Sequence, residues 1–82
     1  MKLADLSQVI DEVEKILFHS PVRDGVLRKK LARVAFRLCP DDNLRHLLGN
    51  AVGYHIPHPD WAKNEISKAR GHIETLRENG HT

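Results

Sequence analysis

Large apolar residues return every three or four positions through most of the chain, which is the spacing of one face of an α-helix. Leu6, Val9, Ile10, Val13, Ile16 and Leu17 share such a face and predict a first helix from about Asp5 to Phe18. Asp5 is placed to accept from the free amides of the first turn, with Gln8 three residues on in a loose capping-box arrangement. Asp11, Glu12 and Glu14 fall on the other side and make it acidic. The segment His19–Gly25 then breaks the pattern. Ser20 followed by Pro21 suits a helix start, because proline lacks an amide that would be unpaired there, and Asp24 offers a second start. Leu27, Leu31, Val34, Ala35 and Leu38 form the next stripe, expected to be the buried side of a second helix reaching Leu38.

Pro40 disfavours helical geometry at Cys39 and ends that helix. Asp41 and Asp42 favour a new start through capping and the helix dipole. Leu44, Leu47, Leu48, Ala51 and Val52 predict a third helix ending near Gly53. Pro57 and Pro59 exclude a helix across "YHIPHP" and predict an extended connector, with Pro59 and Asp60 in the opening turn of a fourth helix. That last helix carries a narrow seam, Ala62, Ile66, Ala69, Ile73 and Leu76, stepping by four, three, four and three, and Gly80 suits its left-handed cap. The expected architecture is all-α: a compact bundle of four helices in a single domain over residues 1–82, with the last helix set off by the proline-rich connector. The seam on that helix, through Ile66, Ile73 and Leu76, is also a candidate surface for self-association into a homodimer.

Composition narrows this only a little. Trp61, Tyr54, Phe18 and Phe36 are the whole aromatic content of 82 residues, so the core has to be aliphatic. Cys39 is the single cysteine, which excludes an intrachain disulfide. No apolar run suits a signal peptide or a membrane span, so a cytoplasmic protein without membrane contact is expected.

Charge changes the picture more. The formal net charge is +2, but residues 21–40 hold six bases against Asp24 alone. In the stretch "VLRKKLARVAFR", five of twelve residues are Arg or Lys. With Leu31 set at zero on a helical wheel, Leu27, Val34, Ala35 and Leu38 lie within roughly 60°, while Lys29, Lys30, Arg33 and Arg37 occupy the far side at roughly 160–260°. Phe36 falls near 140°, among the cations rather than in the stripe.

Three readings of that face are open. In the first, the acidic first helix lies beside the basic second one and Phe36 packs beneath the fourth helix near Trp61. In the second, the cations neutralise phosphates of a nucleic acid. Asp41 and Asp42 at the start of the third helix oppose this, and no interleaved aromatics are present to stack bases. In the third, Phe36 ringed by Lys29, Lys30, Arg33 and Arg37 meets an acidic, apolar-centred partner protein, since Arg and aromatic residues dominate interface hot spots. His58 and Trp61, in the ring-rich "YHIPHPDW", are secondary candidates for the same contact.

Catalytic and metal chemistry find little support. Cys39, His46, His55 and His58 could be imagined as a zinc site, but a tetrahedral site needs four convergent ligands and is usually announced by close pairs. No metal and no cofactor are expected. Neither a nucleophile elbow nor a glycine-rich phosphate loop occurs. The sequence therefore points to a small non-enzymatic regulator or adaptor, of the phage- or plasmid-type inhibitor kind, that binds a partner protein with an acidic surface. Nucleic-acid binding through the basic helix is the alternative.

Overall fold

Residues 2–80, the part of the chain that the computed structural model describes, form four helices and no strand: α1 (Leu3–Phe18), α2 (Gly25–Phe36), α3 (Asp42–Tyr54) and α4 (Pro59–Glu78). α1 begins two residues earlier than the sequence pattern suggests. Asp5 sits in its first turn and reaches back, its carboxylate accepting from the Lys2 amide at 3.2 Å, instead of capping the helix itself. Leu3, Leu6, Ile10, Val13 and Leu17 then step by three and four along one buried line. Opposite them, α3 supplies Leu44, Leu48, Ala51 and Val52, and α4 supplies Ala62, Ile66, Ala69 and Ile73. The alanines let helix axes approach closely, and the aliphatic side chains fill the space between α1, α3 and α4.

α4 is not set off from the rest, as its proline connector had suggested. It shares its largest interface with α3 and packs on α1 as well. The connector is a tight turn rather than an extended strand: the His58 amide donates to the Tyr54 carbonyl at 2.7 Å, and His55 keeps right-handed helical dihedrals. The prolines end the α3 ladder, but a turn still satisfies its last carbonyls. Ile66 and Ile73 are 1% and 4% exposed, and Leu76 is half-buried against the core. The seam expected to receive a second copy is therefore occupied inside the chain.

Charge pairing also departs from expectation. The acidic side of α1 does not face α2. Arg70 of α4 donates to Asp11 at 2.7 Å and to Glu14 at 2.8 Å, clamping α1 to α4 across 56 or more positions of sequence. α2 makes no contact with α4 among the described residues, so Phe36 does not lie beneath that helix near Trp61.

α2 shows the main difference between sequence and structure. Asp24, not Ser20, is its cap, its carboxylate accepting from the amides of Val26 at 2.9 Å and Leu27 at 3.2 Å. Ser20 instead closes a small turn on the Val22 amide. A Cβ at Gly25 would stand 2.7 Å from Cδ1 of Ile56, so glycine there leaves room for the α3–α4 turn to lean on the start of α2. From this start the helix buries Ala32 and half-buries Arg28, Ala35 and Phe36, while Val26, Leu27, Leu31, Val34 and Leu38 are exposed. The buried side is turned by roughly 100° from the stripe that hydrophobicity singles out.

Arg28 accounts for that roll. Its Nε donates to the Val22 carbonyl at 3.0 Å and its Nη1 to the Leu17 carbonyl at 3.3 Å, with Nη2 also on Val22. Leu17 lies in the last turn of α1, where carbonyls lack intrahelical partners and the dipole favours a cation. Holding Arg28 against α1 points the residues four, seven and eight further on, Ala32, Ala35 and Phe36, at the core.

Stability measurements separate this arrangement from one with the stripe inside. Ile10→Ala and Leu48→Ala are expected to cost about 2–5 kcal/mol each in denaturant unfolding. Val34→Ala and Leu38→Ala should stay within about 0.5 kcal/mol of the parent. Arg28→Ala should cost about 1.5–3 kcal/mol through its charged hydrogen bonds.

Candidate partner-binding face

The roll of α2 divides its surface into three strips. One meets the core through Ala32 and Phe36. A second is apolar and exposed, stepping by four and three through Leu27, Leu31 and Val34; the helix ends at Phe36, two residues short of the expected Leu38, which stands exposed in the turn that follows. A third is basic, formed by Lys30, Arg33 and Arg37 on the side toward α3. Between the basic strip and α3 lies an open hollow of about 720 Å³. Val34, Phe36 and Gly49 line its apolar part, and Lys30, Arg33, Arg37 and Arg45 bring four cations to it. Gly49 contributes backbone where a side chain would fill the space, with nothing within 4 Å of its Cβ direction.

The electrostatics of this hollow are one-sided. The body of α2 contains no carboxylate, and among the described residues none lies within ion-pair reach of Lys30, Arg33 or Arg37. Arg45 alone is paired, with Asp42 one turn earlier on α3. Asp41 is turned away into the bundle. Its carboxylate caps α3 through the Leu44 amide at 2.9 Å and faces Nε2 of His72 at 3.2 Å. Partial burial would raise the Asp41 pKa, but the Leu44 amide, His72 and the Asn43 amide together hold it below the usual carboxylate value.

Sequence-predicted contact residues separate into two groups. Lys30, Arg33, Phe36 and Arg37 converge on the hollow. Lys29 is half-buried and does not line it. His58 and Trp61 do not line it either. They stack on one another at 3.8 Å at the start of α4, with Tyr54 edge-on to Trp61 at 5.4 Å. Cys39 is buried and unpaired, and His46 sits beside Asn50. Among the described residues no three His, Cys, Asp or Glu side chains gather as metal ligands would. The residues missed by the sequence reading are Arg45 and Gly49 of α3 and the exposed leucines. Hydrophobicity gave the leucines to the core, whereas the recurrence of Arg28, Ala32, Ala35 and Phe36 at helical spacing was the signal for the true inner side.

The chain matches no protein-family model, no curated protein and no solved structure. Function therefore has to be read from this surface. Among the described residues no helix is long and apolar enough to cross a membrane. The lining of the hollow offers cations and an apolar floor, an arrangement suited to binding.

Under the α3–α4 turn, His55 lies edge-on to Phe18 at 5.2 Å, and its Nδ1 is buried without a hydrogen-bond partner. Burial lowers its pKa, and Arg28 and Lys29 act in the same direction against a hydrogen bond to the Leu17 carbonyl. A histidine depressed in the folded state makes the unfolded state bind more protons, so stability falls as pH drops below about 6.5. Thermal melts from pH 7 to pH 5 should show this decline, and His55→Gln should flatten it.

Proposed function

We propose that this protein is a small non-enzymatic regulator or adaptor that acts by binding a partner protein through the basic, apolar-floored face formed by α2 and α3. The observation that carries this reading is the convergence of Lys30, Arg33, Arg37 and Arg45 around Val34 and Phe36. Cations at the rim steer and orient an acidic partner, and an apolar centre supplies the desolvated contact that holds it. Burial of the lone unpaired Cys39 suits a reducing, cytoplasmic setting.

Nucleic acid is the second reading, and the four cations favour it. Against it stand the exposed leucines beside those cations and Asp42 on the same edge of α3, 86% exposed in its side chain. A phosphate backbone leaves apolar side chains uncovered and meets Asp42 with the wrong sign.

The test is affinity capture from host-cell lysate with Arg33→Glu/Arg37→Glu beside the parent, with and without nuclease. The proposal predicts a stoichiometric protein that survives nuclease and is lost by about tenfold or more on charge reversal, while the melt is unchanged. Signal that vanishes with nuclease and falls steeply with salt would transfer the face to nucleic acid.

A further inference from the structure

Of the seven large apolar side chains exposed among the described residues, five lie between Val26 and Leu38. Leu27, Leu31 and Val34 form a line on α2, and Leu38, in the turn that follows Phe36, continues the four-three-four spacing by which one helix receives another. Lys30 and Arg37 lie about 60–90° around the helix from it, seven residues apart, where the flanking residues of a docked helix would pass. The hollow adjoins the line through Val34, which belongs to both.

We propose that this line docks an amphipathic helix of a partner protein, with aliphatic residues on its inner edge and Asp or Glu along the flank that passes Lys30, Arg33 and Arg37. The inference rests on the partner-binding reading above and specifies the kind of partner. Charge complementarity selects the occupant. A second copy placed antiparallel, by a two-fold axis across the line, would set the same cations against one another. Nor do the described residues carry the complement elsewhere. Outside the α2 segment the exposed large apolar residues are only Ile56 and Trp61, so the acidic side of α1 has no exposed apolar line among the described residues. An anionic bilayer matches the charge but is planar, whereas an open hollow lies beside the stripe. The flank alternation also gives polarity to the contact: cations stand on the α3 side of the line, so the acids of the partner lie on one of its two flanks.

The experiment uses the full chain and two synthetic helices of about three heptads, both with Leu at the seam positions, one flanked by Glu and the other by Lys. Like charges keep each peptide from pairing with itself. Fluorescence anisotropy should show binding of the Glu-flanked peptide, weakened by salt, and none of the Lys-flanked one. Leu27→Ser/Leu31→Ser should weaken binding about tenfold or more while keeping the helical circular dichroism and melt of the parent. No binding of the Glu-flanked peptide, equal binding of both, or binding indifferent to the serine variant overturns the proposal. So does binding to phosphatidylserine vesicles without binding to the Glu-flanked peptide, or a dimer in sedimentation that the serine variant dissolves. Loss of helical structure in that variant also overturns it, since the stripe would then be core. If the peptide arm fails while capture from lysate still depends on Arg33 and Arg37, the partner-binding reading stands and the acidic-helix class falls.

Discussion

The seat of Arg28 on the last turn of α1 governs how the rest of the surface is presented. Two carbonyls, Leu17 and Val22, end without backbone partners where α1 stops and the chain reverses. The guanidinium satisfies them and places a positive charge at the negative end of the α1 dipole. That contact fixes the rotation of a twelve-residue helix about its own axis. With Arg28 held inward, Ala32 and Phe36 must follow, and a line of four larger aliphatic residues is left facing water.

Burying such side chains would contribute about 1.5–3 kcal/mol each, so leaving them outside is a substantial sacrifice for a small domain. The fold tolerates it because the core is completed by α1, α3 and α4, tied by Arg70 to Asp11 and Glu14. α2 is then the helix least committed to that core, contributing only Ala32 as a fully buried residue. A contiguous exposed apolar line is uncommon on a small domain, which supports the contact surface proposed above. Its neighbours Lys30, Arg33 and Arg37, without an ion-pair partner among the described residues, suit the acidic flank proposed for that contact.

Much of this was legible in the sequence. The four helices, the cap at Asp41, and the inner sides of α1, α3 and α4 follow from apolar spacing, proline and aspartate, Asp24 was one of two starts open for α2, and Gly80 takes the positive φ of its cap. Of the residues that line the hollow, Lys30, Arg33, Phe36 and Arg37 were identifiable because a phenylalanine among cations is out of place on a solvated face. The roll of α2 was not legible. A wheel ranks residues by their own hydrophobicity, whereas Arg28 acts through carbonyls of a different segment, and alanines allow a close approach that leucines would prevent. Arg45 and Gly49 were hidden for a related reason, since only the packing of α3 on α2 brings them to the hollow. The connector misled through its prolines, which end a helical ladder yet still permit a turn.

The measurement that bears most directly on this account is methyl NMR with a soluble paramagnetic probe, read residue by residue. The account predicts strong relaxation at the methyls of Leu27, Leu31, Val34 and Leu38, and protection at Ile10, Leu44, Leu48 and Ile66. Protection of the α2 leucines equal to that of Ile10 would place the stripe in the core and contradict it.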